Sequence, residues 1–86
     1  MHYQLLLKRS AEKELAALPT EIRKRIVERL LALEEIPRPP GIKKLQGEDA
    51  YRLHVGDYRV LYTIVDPEQT IMVFAVDHRR DIYREL

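Results

Sequence analysis

Apolar and polar side chains alternate along residues 51–62, except at Leu61, and Gly56-Asp57 divides the alternation into two halves. This pattern predicts two short β-strands joined by a two-residue type II′ or I′ turn, because glycine adopts a positive φ without steric cost. A turn of that length places His54 opposite Arg59 and Leu53 opposite Val60. Since side chains alternate across a strand, one face of this hairpin is apolar. The other face carries three basic side chains, Arg52, His54 and Arg59.

Strand and helix patterns lie on either side of the hairpin. Residues 3–7 alternate as a strand does, and residues 71–76 are apolar on both faces, which is typical of a central strand. Pro19 separates a short predicted helix, residues 11–18, from a longer one, because proline cannot continue a helix. The apolar stripe of the longer helix has helical spacing: Ile22, Ile26, Leu30 and Leu33.

The element order β-α-α-β-β-β, with a possible short helix over residues 81–86, predicts an α+β fold. We expect an antiparallel-dominated four-stranded sheet with an N-terminal helical hairpin packed on one face. The 86 residues are expected to form a single domain spanning 1–86.

The composition is that of an ordinary globular protein, with 45% apolar and 34% charged residues. The chain has no cysteine, which excludes disulfides, and no apolar run long enough to span a bilayer. It also lacks the features of a signal peptide, so we expect a cytoplasmic protein with no membrane association. A net charge of +1 is a weak electrostatic footprint for binding nucleic acid unaided, so an RNA-directed role requires locally placed charge or a larger partner.

Metal and cofactor sites are not predicted. His2, His54 and His78 lie far apart, and neither an HExxH motif nor a glycine-rich phosphate loop is present. The remaining residues with chemical potential are basic or aromatic. They are Arg52, His54, Arg59, Arg79 and Tyr83, with Lys44, His78 and Arg80 nearby in sequence.

This set of side chains suits ribonuclease chemistry without a metal. A base must take the proton of the ribose 2′-OH, and an acid must protonate the departing 5′-oxygen; histidine can do either near neutral pH. Arginine presents a planar fork of donors to phosphate oxygens. Repulsion between His54 and the cross-strand Arg59 favours the neutral imidazole that a base requires.

Two segments resemble the RelE toxins of bacterial and archaeal toxin–antitoxin pairs. They are Arg52-x-His54-x-Gly56-Asp57-Tyr58-Arg59-Val60-Leu61-Tyr62 and Val76-Asp77-His78-Arg79-Arg80-Asp81-Ile82-Tyr83. The resemblance runs over essentially the whole chain. It implies a microbial-ribonuclease-like fold, a RelB-like antitoxin partner, and inhibition of translation by cleavage of messenger RNA in the ribosomal A site through 2′-OH attack.

The same resemblance implies roles for particular residues. Arg52, His54, Arg59, Arg79 and Tyr83 match positions of the catalytic set, although His54 stands where the best-known member has lysine. Which residue is the general base and which the acid stays open. Three further residues are expected to bind RNA, namely Lys44, His78 and Arg80.

Structural roles for these residues remain as alternatives. Arg59 could form an ion pair with Asp57 or Glu48. Tyr83 and His78 could have a purely structural role, packing against the rest of the protein. At the level of function, the same fold could serve a ParE-type toxin that inhibits DNA gyrase without enzymatic activity. It could also be an inactive domain that binds its antitoxin and takes part in operator regulation.

Overall fold

A mixed β-sheet with two helices on one face makes up the part of the chain that the computed structural model describes, residues 2–45 and 50–78. The elements in chain order are β1 (Gln4–Leu7), α1 (Arg9–Ala16), α2 (Thr20–Leu33), β2 (Lys43–Lys44), β3 (Ala50–Val55), β4 (Tyr58–Val65), a 3₁₀ turn (Asp66–Glu68) and β5 (Thr70–His78). The predicted α+β class is confirmed. The predicted short helix over residues 81–86 lies outside the described residues.

The strands of the described sheet lie in the order β1-β5-β4-β3-β2. β1 is parallel to β5, and the other neighbouring pairs are antiparallel. The prediction of four strands was incomplete, because β2 adds a fifth at the edge of the described sheet. With only two residues, β2 has no alternation that a sequence pattern could reveal.

The central hairpin has the predicted register, with His54 opposite Arg59 and Leu53 opposite Val60. Gly56 has a φ of 61°, whereas Asp57 has no positive φ, which is the signature of a type II′ turn. A Cβ added at residue 56 would lie 3.6 Å from the Ile22 side chain, an ordinary contact. Glycine is therefore required by the backbone conformation of the turn and not by crowding.

The core lies between the helices and one face of the sheet, which we call the helix face. Ile26, Leu30 and Leu33 of α2 are buried at helical spacing. They belong to one cluster with alternate residues of the strands: Tyr51, Leu53, Val55, Val60, Tyr62, Ile64, Ile71, Val73 and Val76. Burial of these side chains holds the hairpin rigidly against α2, at roughly 1.5–3 kcal/mol for each large apolar residue.

A β-bulge interrupts the pairing of β4 with β5. Leu61 lies opposite Ala75 and Tyr62 lies opposite Val73, so Phe74 is the extra residue of β5. The bulge reverses the alternation of all later side chains in β5. As a result, Asp77 lies opposite Arg59, and His78 lies opposite Tyr58 on the helix face.

A side chain from α1 completes the hydrogen bonding of β5 beyond the end of β1. The parallel pairing of β1 with β5 ends at Leu7 and Val73. Further along β5, the backbone N–H of Val76 donates to Oε1 of Glu14, at 3.0 Å. Glu14 therefore satisfies a strand donor that no neighbouring strand reaches, and it fixes α1 to the end of β5.

A polar cluster fastens the proline-rich loop after α2 to the far end of the sheet. Arg38 forms an ion pair with Asp66, and its Nε donates to the Tyr51 hydroxyl at 2.9 Å. Tyr3 donates to Asp66, and Tyr62 donates to the carbonyl oxygen of Pro37 at 3.0 Å. Burial raises the pKa of Tyr62 to about 12. The loop is thus held by side chains from strands that also form the core.

Candidate functional site

The candidate site lies on the sheet face turned away from the helices, which we call the distal face. His54 and Arg59 are directly opposite each other in the hairpin, so their side chains share this face. Arg52 is two residues from His54 on the same strand and therefore also projects there. Cβ atoms of directly opposed residues are about 4.5–5.5 Å apart, and diagonal neighbours are about 7–8 Å apart. The predicted grouping of these three basic side chains is therefore present in the backbone register.

The three side chains differ in exposure. His54 is exposed, Arg52 is half-buried, and Arg59 is only 5% exposed. The Nε atom of Arg52 is buried and has no hydrogen-bond partner among the described residues. A cation whose stem is packed loses little conformational freedom when it binds a ligand, since its position is already restricted. The site thus combines an accessible imidazole with two guanidinium groups on a rigid strand pair.

Positive charge dominates this part of the distal face. The register places Lys43 opposite Arg52, and Asp77 opposite Arg59. Two cross-strand rows of the described sheet therefore contain three Lys and Arg side chains and one carboxylate, in addition to His54. The net charge of +1 conceals this local excess, which favours a polyanionic ligand.

Two of the residues predicted to bind RNA do not lie on this face. Lys44 lies opposite Tyr51, which belongs to the core, so the register directs Lys44 to the helix side of the sheet. His78 is directed to the same side by the bulge, and its ring meets the Tyr58 ring edge-on with centroids 4.9 Å apart. The register thus separates both side chains from the arginines, and their role in binding RNA stays a prediction.

Lys43 is the basic residue that the sequence interpretation missed. It is exposed and lies on the distal face opposite Arg52. In the sequence, Lys43 and Lys44 are indistinguishable neighbours, and only the pairing of β2 with β3 separates them. The other residues proposed for the site, Arg79, Arg80 and Tyr83, lie outside the described residues.

The arrangement offers two chemical functions. An exposed imidazole can accept a proton in its neutral form and donate one in its protonated form near neutral pH. Guanidinium groups beside it can hold a phosphate and stabilise charge that develops on it. Over residues 2–45 and 50–78, no group of three or more His, Asp or Glu side chains could hold a metal ion. The described helices are also too short or too polar to cross a membrane.

Comparison with known proteins defines the class. The family model described as the ParE toxin of the type II toxin–antitoxin system, parDE, matches residues 5–83. Toxin RelG of Mycobacterium tuberculosis is 37% identical over 98% of this chain and 99% of its own length. A putative toxin RelE1 of Methanocaldococcus jannaschii is 27% identical over 98% of both chains. These matches define the class of protein as the toxin component of a type II toxin–antitoxin system.

Solved structures show which toxins of this class the chain is similar to. The toxin–antitoxin complex RelBE2 of M. tuberculosis contains a chain with a TM-score of 0.81 and 30% identity, covering 92% of this chain and all of that one. The isolated E. coli RelE toxin has a TM-score of 0.80 at 26% identity, covering 98% of this chain and 99% of that one. This chain belongs to the RelE toxins of the RelE/ParE superfamily.

Proposed function

We propose that this toxin is a metal-independent endoribonuclease that cleaves messenger RNA in the ribosomal A site and so inhibits translation. The observation that carries the proposal is the register pair of His54 and Arg59 on the distal face. This pair places an exposed proton-transfer group, His54, beside a buried phosphate-binding group, Arg59. With Arg52 on the neighbouring diagonal, one scissile phosphate could lie within reach of all three side chains.

In the proposed reaction, the 2′-oxygen attacks the adjacent phosphorus while the bond from phosphorus to the 5′-oxygen breaks. A base takes the 2′-OH proton and an acid gives a proton to the departing 5′-oxygen, leaving a 2′,3′-cyclic phosphate. His54 is suited to one of these proton transfers. Arg52 and Arg59 stabilise the charge that builds on the phosphate, and Arg79 and Tyr83 complete the proposed set.

The ribosome is the proposed source of the bound substrate. The site carries a local cluster of cations on a chain whose net charge is only +1. Such a chain has little long-range attraction for free RNA, because affinity for nucleic acid rises with the number of phosphates neutralised. A ribosome presents the message in place, so a compact cluster suffices. This proposal locates the toxin in the cytoplasm.

A RelB-like antitoxin is the proposed protein partner. Among the similar solved structures are complexes of RelE with RelB from E. coli and from Pyrococcus horikoshii. The chain resembles the toxin of the E. coli complex with a TM-score of 0.79 over 88% of its length. Binding of the antitoxin would keep the toxin inactive until the antitoxin is removed.

The proposal is tested by single-turnover cleavage of a defined message on programmed ribosomes. We expect His54→Ala, Arg59→Ala and Arg79→Ala each to reduce the rate at least tenfold, since one donor or one proton-transfer group contributes about 10²–10⁴ in rate. Lys24→Ala, which removes an exposed cation from α2, is the matched control and should retain the wild-type rate. Wild-type rates in all three site variants would overturn the proposal.

Gyrase inhibition is the second candidate, because the matching family model takes its description from ParE. Purified toxin is added to a DNA supercoiling reaction and, separately, to a translation reaction. The endoribonuclease proposal predicts that translation stops while supercoiling continues. Loss of supercoiling with intact messenger RNA would establish the ParE-type activity instead.

A further inference from the structure

Lys43 and Lys44 are consecutive residues with opposite placements in the sheet. Lys43 lies opposite Arg52 on the distal face, and Lys44 lies opposite Tyr51 on the helix face. The pairing continues in register, since the N–H of Leu45 donates to the carbonyl oxygen of Ala50 at 2.8 Å. The division of the two lysines between the faces therefore follows from the backbone hydrogen bonding of β2 with β3.

Lys43 is positioned to extend the basic cluster by one strand. It is directly opposite Arg52 and is a diagonal neighbour of His54, a separation of about 7–8 Å that long side chains can span. Its side chain is exposed and forms no hydrogen bond or ion pair with any described residue. Because β2 is the edge of the described sheet, this ammonium group stands at the rim of the site.

The pairing of Lys43 with Arg52 is unfavourable for the protein alone. Like charges directly opposite each other destabilise a sheet. The carboxylate in these rows, Asp77, lies on β5, beyond the strand that separates it from Arg52. A bound anion between the two cations removes this repulsion.

We infer that Lys43 binds an RNA phosphate next to the scissile one, at the rim of the site. This inference rests on the proposed endoribonuclease function and adds a binding residue to it. The scissile phosphate lies by His54 and Arg59. The RNA strand then passes over β2, where Lys43 contacts the neighbouring phosphate. An exposed lysine contributes a mobile point charge, so it raises affinity for the RNA backbone without selecting a base.

The test compares Lys43→Gln with Lys24→Gln, which removes an exposed cation from α2. The two variants have the same composition and net charge and differ only in the place of the lost cation. Single-turnover cleavage on programmed ribosomes is measured against toxin concentration. For Lys43→Gln we expect the concentration at half-maximal rate to rise about three- to tenfold while the maximal rate stays within about twofold. Lys24→Gln should remain within about twofold of wild type in both quantities.

Two further measurements make the result specific. Lys43→Arg should restore the wild-type concentration dependence, because either cation can contact a phosphate. Raising the salt concentration should weaken binding to the message more steeply for wild type than for Lys43→Gln, since the variant has lost one phosphate contact. Equal behaviour of Lys43→Gln and Lys24→Gln, while His54→Ala and Arg59→Ala still lose cleavage, would overturn this inference alone. If those two site variants also retain full activity, the proposed function itself fails.

Discussion

Arg38 and Asp66 are joined by two parallel hydrogen bonds, from Nη2 to Oδ2 at 2.8 Å and from Nη1 to Oδ1 at 3.2 Å. The bonds connect the proline-rich loop after α2 to the turn between β4 and β5. The Arg38 and Tyr3 side chains both donate to Asp66 and hold the pKa of its carboxyl group below the ordinary value of 3.8. A depressed carboxyl pKa in the folded protein makes its contribution to stability depend on pH.

Replacement of Asp66 by Asn should therefore lower the free energy of unfolding above the ordinary carboxyl pKa and change it less below that pKa. The contribution of Asp66 is complete above pH 3.8 and is lost as the pH falls through the lower pKa of the folded protein. The free energy of unfolding is measured by urea titration for both proteins at neutral and at acidic pH. We expect wild type to be more stable at neutral pH and the two curves to converge in acid. A constant difference across this range would contradict the ion-pair role.

The contact of Glu14 with the Val76 N–H makes a second prediction. Glu14→Ala leaves this strand donor without its acceptor, so the protein should lose about 1–3 kcal/mol of unfolding free energy. Glu14→Gln is the matched control, because its amide oxygen can still accept. Hydrogen exchange of the Val76 amide should accelerate in Glu14→Ala and stay slow in Glu14→Gln. Equal protection in both variants would remove this role of the side chain.

Gly56→Ala should destabilise the hairpin through its backbone. The φ of 61° is costly for any residue with a Cβ, by about 1–2 kcal/mol. The space around residue 56 accommodates a methyl group, so steric crowding adds little. Asp57→Ala, at the neighbouring turn position without a positive φ, is the control and should change stability by less than about 0.5 kcal/mol. Thermal unfolding of the two variants checks this, and equal losses would count against the turn assignment.

Arg59→Lys tests whether the site requires the guanidinium shape or only a positive charge. Arg59 is 5% exposed, so a lysine there has little freedom to adjust its position. We expect at least a tenfold loss of cleavage, because one ammonium group cannot reproduce a planar fork of donors. The thermal midpoint is recorded alongside to detect a folding defect. Wild-type cleavage by a well-folded Arg59→Lys would restrict Arg59 to simple charge neutralisation.

The hairpin was predictable from sequence because two signals agree there. Alternation identifies which residues share a face, and Gly56-Asp57 sets the turn length, so the opposition of His54 and Arg59 follows. Within α2 the helical spacing of Ile26 and Leu30 likewise identifies the buried side. At both places the local sequence pattern identifies the side chains that are buried in the structure.

The faces of Lys44 and His78 were not predictable for two different reasons. The two residues of β2 are too few for alternation, so its register depends on pairing with β3. In β5, an unbroken apolar run conceals the bulge at Phe74, because either face accepts an apolar side chain. Without the bulge, His78 would project from the distal face and Asp77 from the helix face.

The two-residue turn at Gly56-Asp57 also restricts how this site can diversify. A shift of one residue in the pairing of β3 with β4 would turn every side chain of one strand to the other surface, exposing Val60 and burying a charge among the helices. A change in turn length is therefore compatible with the core only where the loop keeps Val55 opposite Tyr58. Exchange of a side chain on either strand, such as that of residue 54, leaves this register unchanged.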